Sequence, residues 1–177
     1  GYYTSEFDNC AVLVIDAIGE WDTTSIWDIN EGRIKQKDGW SYPYSLGLFY
    51  SAFTDRVGLK ANEDEYILMG MSAYGNPDRL KAEIKYLIAE GLTFHKGVRP
   101  WRPDLVTEED HFDIAAAVQS IYEDELRILL EKAQRYTGKD NIVLMGGCAL
   151  NCLANRIVDE YFDKSWIMPN PGDAGSS

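Results

Sequence analysis

The chain has 177 residues, 45% hydrophobic and 26% charged, a make-up that suits a compact domain with a core of its own. Seventeen Lys and Arg against 29 Asp and Glu leave a formal net charge of −12, which argues against non-specific attraction to a nucleic-acid backbone. No apolar run is long enough to span a bilayer and no basic-then-apolar leader opens the chain, so neither nucleic acid nor membrane is an expected partner.

Ala11 to Ile15 is a continuous apolar run and predicts a buried strand ending at Asp16 and Gly19. Thr23 to Ile29 is rich in β-formers, and after the turn Asn30-Glu31-Gly32 a third run follows from Arg33 to Gln36, which completes a three-stranded meander. Arg33, Lys35 and Lys37 alternate as on the solvent face of a strand. Gly39 to Pro43 reads as an aromatic loop. Leu46, Phe49, Tyr50, Phe53 and Val57 have helical spacing, closed by Gly58.

Glu65 to Ser72 predicts a short helix that stops near Tyr74-Gly75-Asn76-Pro77, and Asp78 to Glu90 predicts another. Gly91 to Pro103 reads as a connection with one strand over Leu92 to His95. Thr107 is the expected N-cap of the longest helix, with Glu108, Glu109 and Asp110 where the helix dipole favours acidic groups. Ile114, Val118, Ile121, Tyr122, Leu126, Leu129 and Ala133 form its apolar stripe, and Gly138 ends it. Asn141 to Met145 predicts a buried strand, Leu150 to Tyr161 a helix, and Ser165 to Met168 a last strand. This order is α/β with a mixed sheet and flanking helices; no G-x-G-x-x-G occurs, and the meander argues against a purely parallel sheet. The expected organisation is one domain, residues 1–177, forming an internal piece of a longer protein.

Several residues are candidates for chemistry. Asp16, at the carboxyl end of a buried strand, is placed to hold a divalent cation, or else only makes the turn with Gly19. Gly146 and Gly147 follow another buried strand, where two residues without side chains leave room for adenine or for phosphate oxygens; the plainer reading is a helix-entry turn. Asn151 and Asn155 share a helix face at the expected spacing and are either ligands for a ribose or acyl group or surface amides. The segment Pro169 to Gly175, containing Asn170, Gly172 and Asp173, is too rich in Pro and Gly to serve packing and reads as the second wall of the same site, with Asp173 as a second metal carboxylate.

The remaining candidates favour plain roles. Cys148 and Cys152 read as small buried hydrophobes, Met69 and Met71 as core filling, and His95 and His111 lack metal-ligand spacing. Three cysteines without framework spacing, Cys10 included, fit a reducing compartment and a cytoplasmic location. No catalytic acid, base or nucleophile is identifiable.

Taken jointly, five stretches resemble the O-carbamoyltransferase family that includes the nodulation-factor and cephalosporin enzymes. They are Val14 to Glu20, Leu46 to Thr54, Glu65 to Gly75, Gly146 to Asn155 and Pro169 to Gly175, in family order and across nearly the whole chain. The resemblance implies an actin/sugar-kinase/Hsp70-like, ribonuclease-H-like half-domain related to the enzyme that makes threonylcarbamoyladenosine in tRNA. It implies that ATP and carbamoyl phosphate give a carbamoyl-adenylate, whose carbamoyl group passes to a hydroxyl of a sugar or natural product. By resemblance, Asp16 and Asp173 match two metal aspartates, the metal being iron, and Gly146, Gly147 and Asn151 match the adenylate-binding segment, which Asn170 and Gly172 adjoin.

The chain departs from the family pattern at Ala17-Ile18, where the usual motif is Asp-Gly-x-Gly-Glu, and at Ile67, where a lysine is common. The family's metal-binding histidines lie just before the position matching Gly1, so the chain alone is expected to bind no stoichiometric iron and to transfer no carbamoyl group. The alternatives are a sugar kinase or ATPase on the same fold, or a non-catalytic nucleotide-binding module. A homo-oligomer is compatible with any of these.

Overall fold

The computed structural model describes residues 1–89 and 94–172. A five-stranded mixed sheet organises the chain, in the spatial order β3-β2-β1-β4-β5. Strands β1 (Asn9–Ile15), β2 (Thr24–Asn30) and β3 (Arg33–Trp40) form the antiparallel meander expected from the sequence. Strands β4 (Asn141–Met145) and β5 (Lys164–Ile167) then add in parallel on the other side of β1. β3 runs to Trp40, four residues past the expected end, because a register shift at Ile26/Trp27 lets Gly39 and Trp40 pair with Ser25 and Thr24.

The alternation along the strands assigns each face. Ala11, Leu13, Ile15, Ile26, Ile142 and Leu144 lie on one face and are almost wholly buried. On the other, Cys10, Val12, Ile29 and Val143 form a buried cluster covered by Tyr2, Phe7, Trp27 and Trp166. Each fully buried Leu, Ile or Phe contributes roughly 1.5–3 kcal/mol relative to exposure, so β1 and β4 anchor this part of the fold. Burial pushes the Cys10 thiol up to about 11, with Lys139 opposing and Asp28 reinforcing the shift.

The chain divides into two compact units, residues 1–47 with 125–177 and residues 48–124. The first contains the sheet, the last turns of α4 (Glu108–Thr137) and α5 (Cys152–Asn155). The second contains most of α1 (Leu46–Arg56), α2 (Glu65–Met71), α3 (Lys81–Ala89) and the start of α4. Its core is aromatic, with Phe53 edge-on to Phe49 at 5.4 Å and to Trp101 at 5.5 Å between ring centres. Arg79 forms ion pairs with Asp110 (2.6 Å) and Asp113 (2.7 Å), while Asp113 also accepts from Asn76 N–H at 2.6 Å.

The α4 ends follow their sequence signals. Thr107 Oγ1 accepts from Asp110 N–H at 3.1 Å, and the Asp110 carboxylate accepts from Thr107 N–H and its hydroxyl, a reciprocal cap. Gly138, at φ +65°, donates to Gln134 C=O and closes the helix. The expected stripe from Ile114 to Ala133 is buried throughout.

Three expectations need correction. The segment 150–161 is not one helix: a 3₁₀ turn (Gly147–Leu150), the single turn of α5 and a second 3₁₀ stretch (Arg156–Glu160) follow one another. The break falls at Asn151, whose extended ψ of 84° and side-chain cap on Ala154 N–H restart the helix there. Asp78 to Glu90 likewise begins with a 3₁₀ turn (Pro77–Arg79) before α3. Of the strand expected over Leu92 to His95, Leu92 and Thr93 lie outside the described residues, and Phe94–Lys96 is a 3₁₀ turn.

Candidate functional site

The site is built where β1 and β4 end side by side. They pair in parallel up to Val14↔Met145, so Asp16 and Gly146 leave the sheet together, next to the place where β1 changes from a parallel to an antiparallel neighbour. Ligands of open α/β sheets collect at such carboxyl edges.

Gly146 and Gly147 do different work there. Gly146 has φ +88° and ψ 165°, a region populated essentially by glycine alone. A Cβ on Gly146 would stand 2.7 Å from the Ile15 carbonyl carbon and closer still to its oxygen. Its N–H donates to Pro171 C=O at 3.0 Å, which ties the β4 turn to the 169–172 segment. This glycine is required by the β1–β4 packing. At Gly147, by contrast, the nearest atom to a Cβ is Asp16 Oδ1 at 3.5 Å, an ordinary contact. Gly172 approaches Gly147 from the other side, a Cβ on it lying 3.8 Å from Gly147 Cα. Asp16, Gly147 and Gly172 are therefore brought together.

Asp16 is held from several directions. Its N–H donates to Thr23 C=O at 2.8 Å and its Oδ1 accepts from Ala17 N–H at 2.8 Å. The Ser45 hydroxyl lies 2.5 Å from Ala17 C=O and 3.1 Å from Asp16 C=O. A Cβ on Gly47 would come within 2.6 Å of Ala17 Cα, so the start of α1 packs directly on this backbone. Ser45 and Gly47 were not foreseen as parts of the site. A glycine within a helical pattern is the one available signal of such a close approach.

Asn151 caps α5, and Asn155 Nδ2 donates to Ala149 C=O at 2.8 Å, so both amides support the β4–α5 connection. Asn170 is exposed beside the buried Pro171, and Asp173 lies outside the described residues. Cys148 is half-buried and Cys152 exposed, against the expectation of two buried thiols. Met69 and Met71 are partly buried, Leu68 alone of α2 being buried. His111 is partly buried in the first turn of α4.

Among the described residues no group of three or more His, Cys, Asp or Glu side chains could hold a metal ion. Asp16 is one carboxylate, and one oxygen donor does not make a transition-metal site. At the strand-end turn a Cβ on Gly147 would meet nothing nearer than the ordinary contact with Asp16 Oδ1 at 3.5 Å. No helix among the described residues is long and apolar enough to cross a membrane.

The mixed five-stranded sheet, with Gly146 and Gly147 at the carboxyl end of β4, defines an α/β domain. Residues 1–105 and 102–177 match the family described as carbamoyltransferase N-terminus, and the chain belongs to that family. It is similar to an uncharacterised protein of Synechocystis sp., with 36% identity covering 99% of this chain and 33% of that protein. It is also similar to the nodulation protein NolO of Bradyrhizobium diazoefficiens, with 28% identity covering 97% of this chain and 34% of NolO. The nodulation protein NolNO of Sinorhizobium fredii is 25% identical over 97% of this chain and 27% of its own length. The chain thus spans about a third of the length of the curated relatives it matches.

Proposed function

We propose that the chain is the nucleotide-binding part of an ATP-dependent O-carbamoyltransferase, and that its sheet is an actin-like, ribonuclease-H-like half-domain. The strand order β3-β2-β1-β4-β5, with β1 to β3 antiparallel and β4 and β5 parallel to β1, supports the fold assignment. The single observation that carries the functional reading is the meeting of Asp16, Gly147 and Gly172 at the strand ends, in a chain of this family.

In this reading ATP and carbamoyl phosphate supply a carbamoyl-adenylate. The acceptor's hydroxyl oxygen bonds to the carbamoyl carbon, the bond from that carbon to the adenylate phosphate oxygen breaks, and AMP leaves with the electron pair. The hydroxyl proton passes to solvent. The chain's own contribution is binding and orientation: N–H groups near Gly147 face the phosphate and Gly172 closes the opposite side, while Asn170 lies at the rim. Asp16 accepts hydrogen bonds from bound hydroxyl or amide groups. An iron or other divalent metal on Asp16 and Asp173 would act as a Lewis acid, but the described donors do not complete such a site and no step is derived through it.

The test is nucleotide binding by the 177-residue chain, read by calorimetry with AMP and ATP, alongside Gly147→Val. A valine fills the space between Asp16 and Gly172, and we expect affinity to fall about tenfold or more, the effect of losing roughly 1.4 kcal/mol. Absence of nucleotide binding, or equal affinity in the folded variant, would overturn the reading. In the whole protein, ATP hydrolysis independent of carbamoyl phosphate would point to a kinase or ATPase instead.

A further inference from the structure

A serine hydroxyl just ahead of a helix ordinarily serves that helix's own first turn. The Ser45 hydroxyl, one residue before α1, reaches back 28 and 29 residues, to Ala17 C=O at 2.5 Å and to Asp16 C=O at 3.1 Å. A hydroxyl donates one proton, so the two carbonyls share it.

Two further contacts close on the same peptide unit. Ala17 N–H donates to Asp16 Oδ1 at 2.8 Å. A Cβ on the buried Gly47 would lie 2.6 Å from Ala17 Cα, 2.7 Å from Ala17 N and 2.9 Å from Asp16 C. The Asp16–Ala17 peptide is thus held at its carbonyl by Ser45, at its N–H by the Asp16 carboxylate, and over its face by Gly47. On the upstream side, Asp16 N–H donates to Thr23 C=O at 2.8 Å. Thr23 is fully buried, and its hydroxyl lies 2.9 Å from Trp40 C=O and also contacts Tyr44 C=O. Residue 44 therefore accepts from the 16–23 loop, and residue 45 donates into it.

These contacts run in series toward one oxygen. The tilt of the 16–17 peptide sets the direction of Ala17 N–H, and that N–H holds Asp16 Oδ1, which stands 3.5 Å from the position of a Cβ on Gly147. We infer that Ser45 is a positioning residue for the site: its hydroxyl fixes the 16–17 peptide and, through that peptide, aims the Asp16 carboxylate at a ligand seated over Gly147. The inference rests on the nucleotide-binding reading above, in which Ser45 itself touches no ligand. Alanine at 45 would leave both carbonyls without the shared proton, whereas threonine would keep the donor.

The experiment compares wild type, Ser45→Ala and Ser45→Thr in the 177-residue chain, by calorimetry with AMP and by amide-resolved hydrogen exchange. Ser45→Ala should weaken AMP binding about threefold to tenfold, the range set by losing one hydrogen bond's net contribution. Exchange of the Ala17 amide should quicken by a similar factor, because the peptide that carries it opens more often. Ser45→Thr should stay within about twofold of wild type in both readouts. A role confined to starting α1 would lower the urea midpoint and quicken exchange along α1, but would move neither AMP affinity nor Ala17. Thr107→Ala, which removes the hydroxyl that caps α4, is the control for lost stability and should bind AMP as the wild type does.

The inference is overturned if Ser45→Ala binds AMP with wild-type affinity, if Ser45→Thr is as weak as Ser45→Ala, or if Thr107→Ala weakens binding equally. A wild-type chain that binds no AMP would count against the nucleotide reading. The Ala17 exchange comparison would then decide the role of Ser45 by itself: faster exchange in Ser45→Ala, restored by Ser45→Thr, upholds it, and equal exchange in all three overturns it.

Discussion

Replacing Gly146 by alanine tests whether the first glycine of the pair serves the fold rather than a ligand. Two costs add. The backbone sits at φ 88° and ψ 165°, and holding a residue with a Cβ there costs about 1–3 kcal/mol. The new Cβ would also press within 2.7 Å of the Ile15 carbonyl carbon; relieving that contact moves β4 off β1, an overpacking cost of about 1–3 kcal/mol. The expected loss is about 2–6 kcal/mol, a large share of the roughly 5–15 kcal/mol that holds a domain together. In urea, with a slope of about 2 kcal/mol per molar, the midpoint should fall by about 1–3 M. Gly70→Ala is the control, since Gly70 is an exposed α2 residue with nothing within 4 Å of a Cβ, and alanine there should leave the midpoint equal or higher. A Gly146→Ala midpoint within about 0.3 M of wild type would refute the reasoning.

Further outcomes follow from the charged and thiol groups. The Thr107 hydroxyl first, and then Arg79, hold the Asp110 carboxyl well below the usual carboxylate range. A depressed acid contributes stability above its unfolded pKa, about 4, and loses it as pH falls toward the folded value. Urea midpoints should therefore decline on acidification below about pH 4, and more gently in Arg79→Met; an equal decline in the variant would contradict the role given to this ion pair. Among the thiols, Cys10 is buried and pushed up to about 11, whereas Cys152 is exposed. Alkylation of the native chain, followed by peptide mass spectrometry, should label Cys152 early and Cys10 last. Comparable rates at the two would show that the sheet face over Cys10 opens readily.

The parts of the fold legible in the sequence were those set by one local pattern. Ala11 to Ile15 and Ile142 to Met145 are apolar runs that the sheet buries on both faces, and the α4 stripe repeats from Ile114 to Ala133 in a helix with a cap at each end. Where two local patterns compete, reading residue by residue goes astray. Leu150 to Tyr161 has helical spacing, yet Asn151 uses its side chain as a cap and splits the stretch. β3 extends to Trp40 through a register shift that passes over Lys37 between Ile26↔Asp38 and Trp27↔Gln36, which no periodicity within β3 announces.

The candidate site shows the same limit at finer scale. Gly146 and Gly147 are indistinguishable as letters, and each satisfies the idea of a glycine left bare for a ligand. Only the neighbouring strand separates them. Because β1 lies parallel to β4, the Ile15 carbonyl occupies the space a side chain on Gly146 would need, whereas Gly147 faces the Asp16 carboxylate across an ordinary contact. The first glycine therefore lets β1 and β4 end together, whereas a side chain at the second would meet only the ordinary contact with Asp16. On the proposed reading, a substitution at Gly146 would act on ligand binding through the fold, while one at Gly147 would act on the site directly. That is why Gly147→Val, and not Gly146→Ala, is the variant that reports on nucleotide binding.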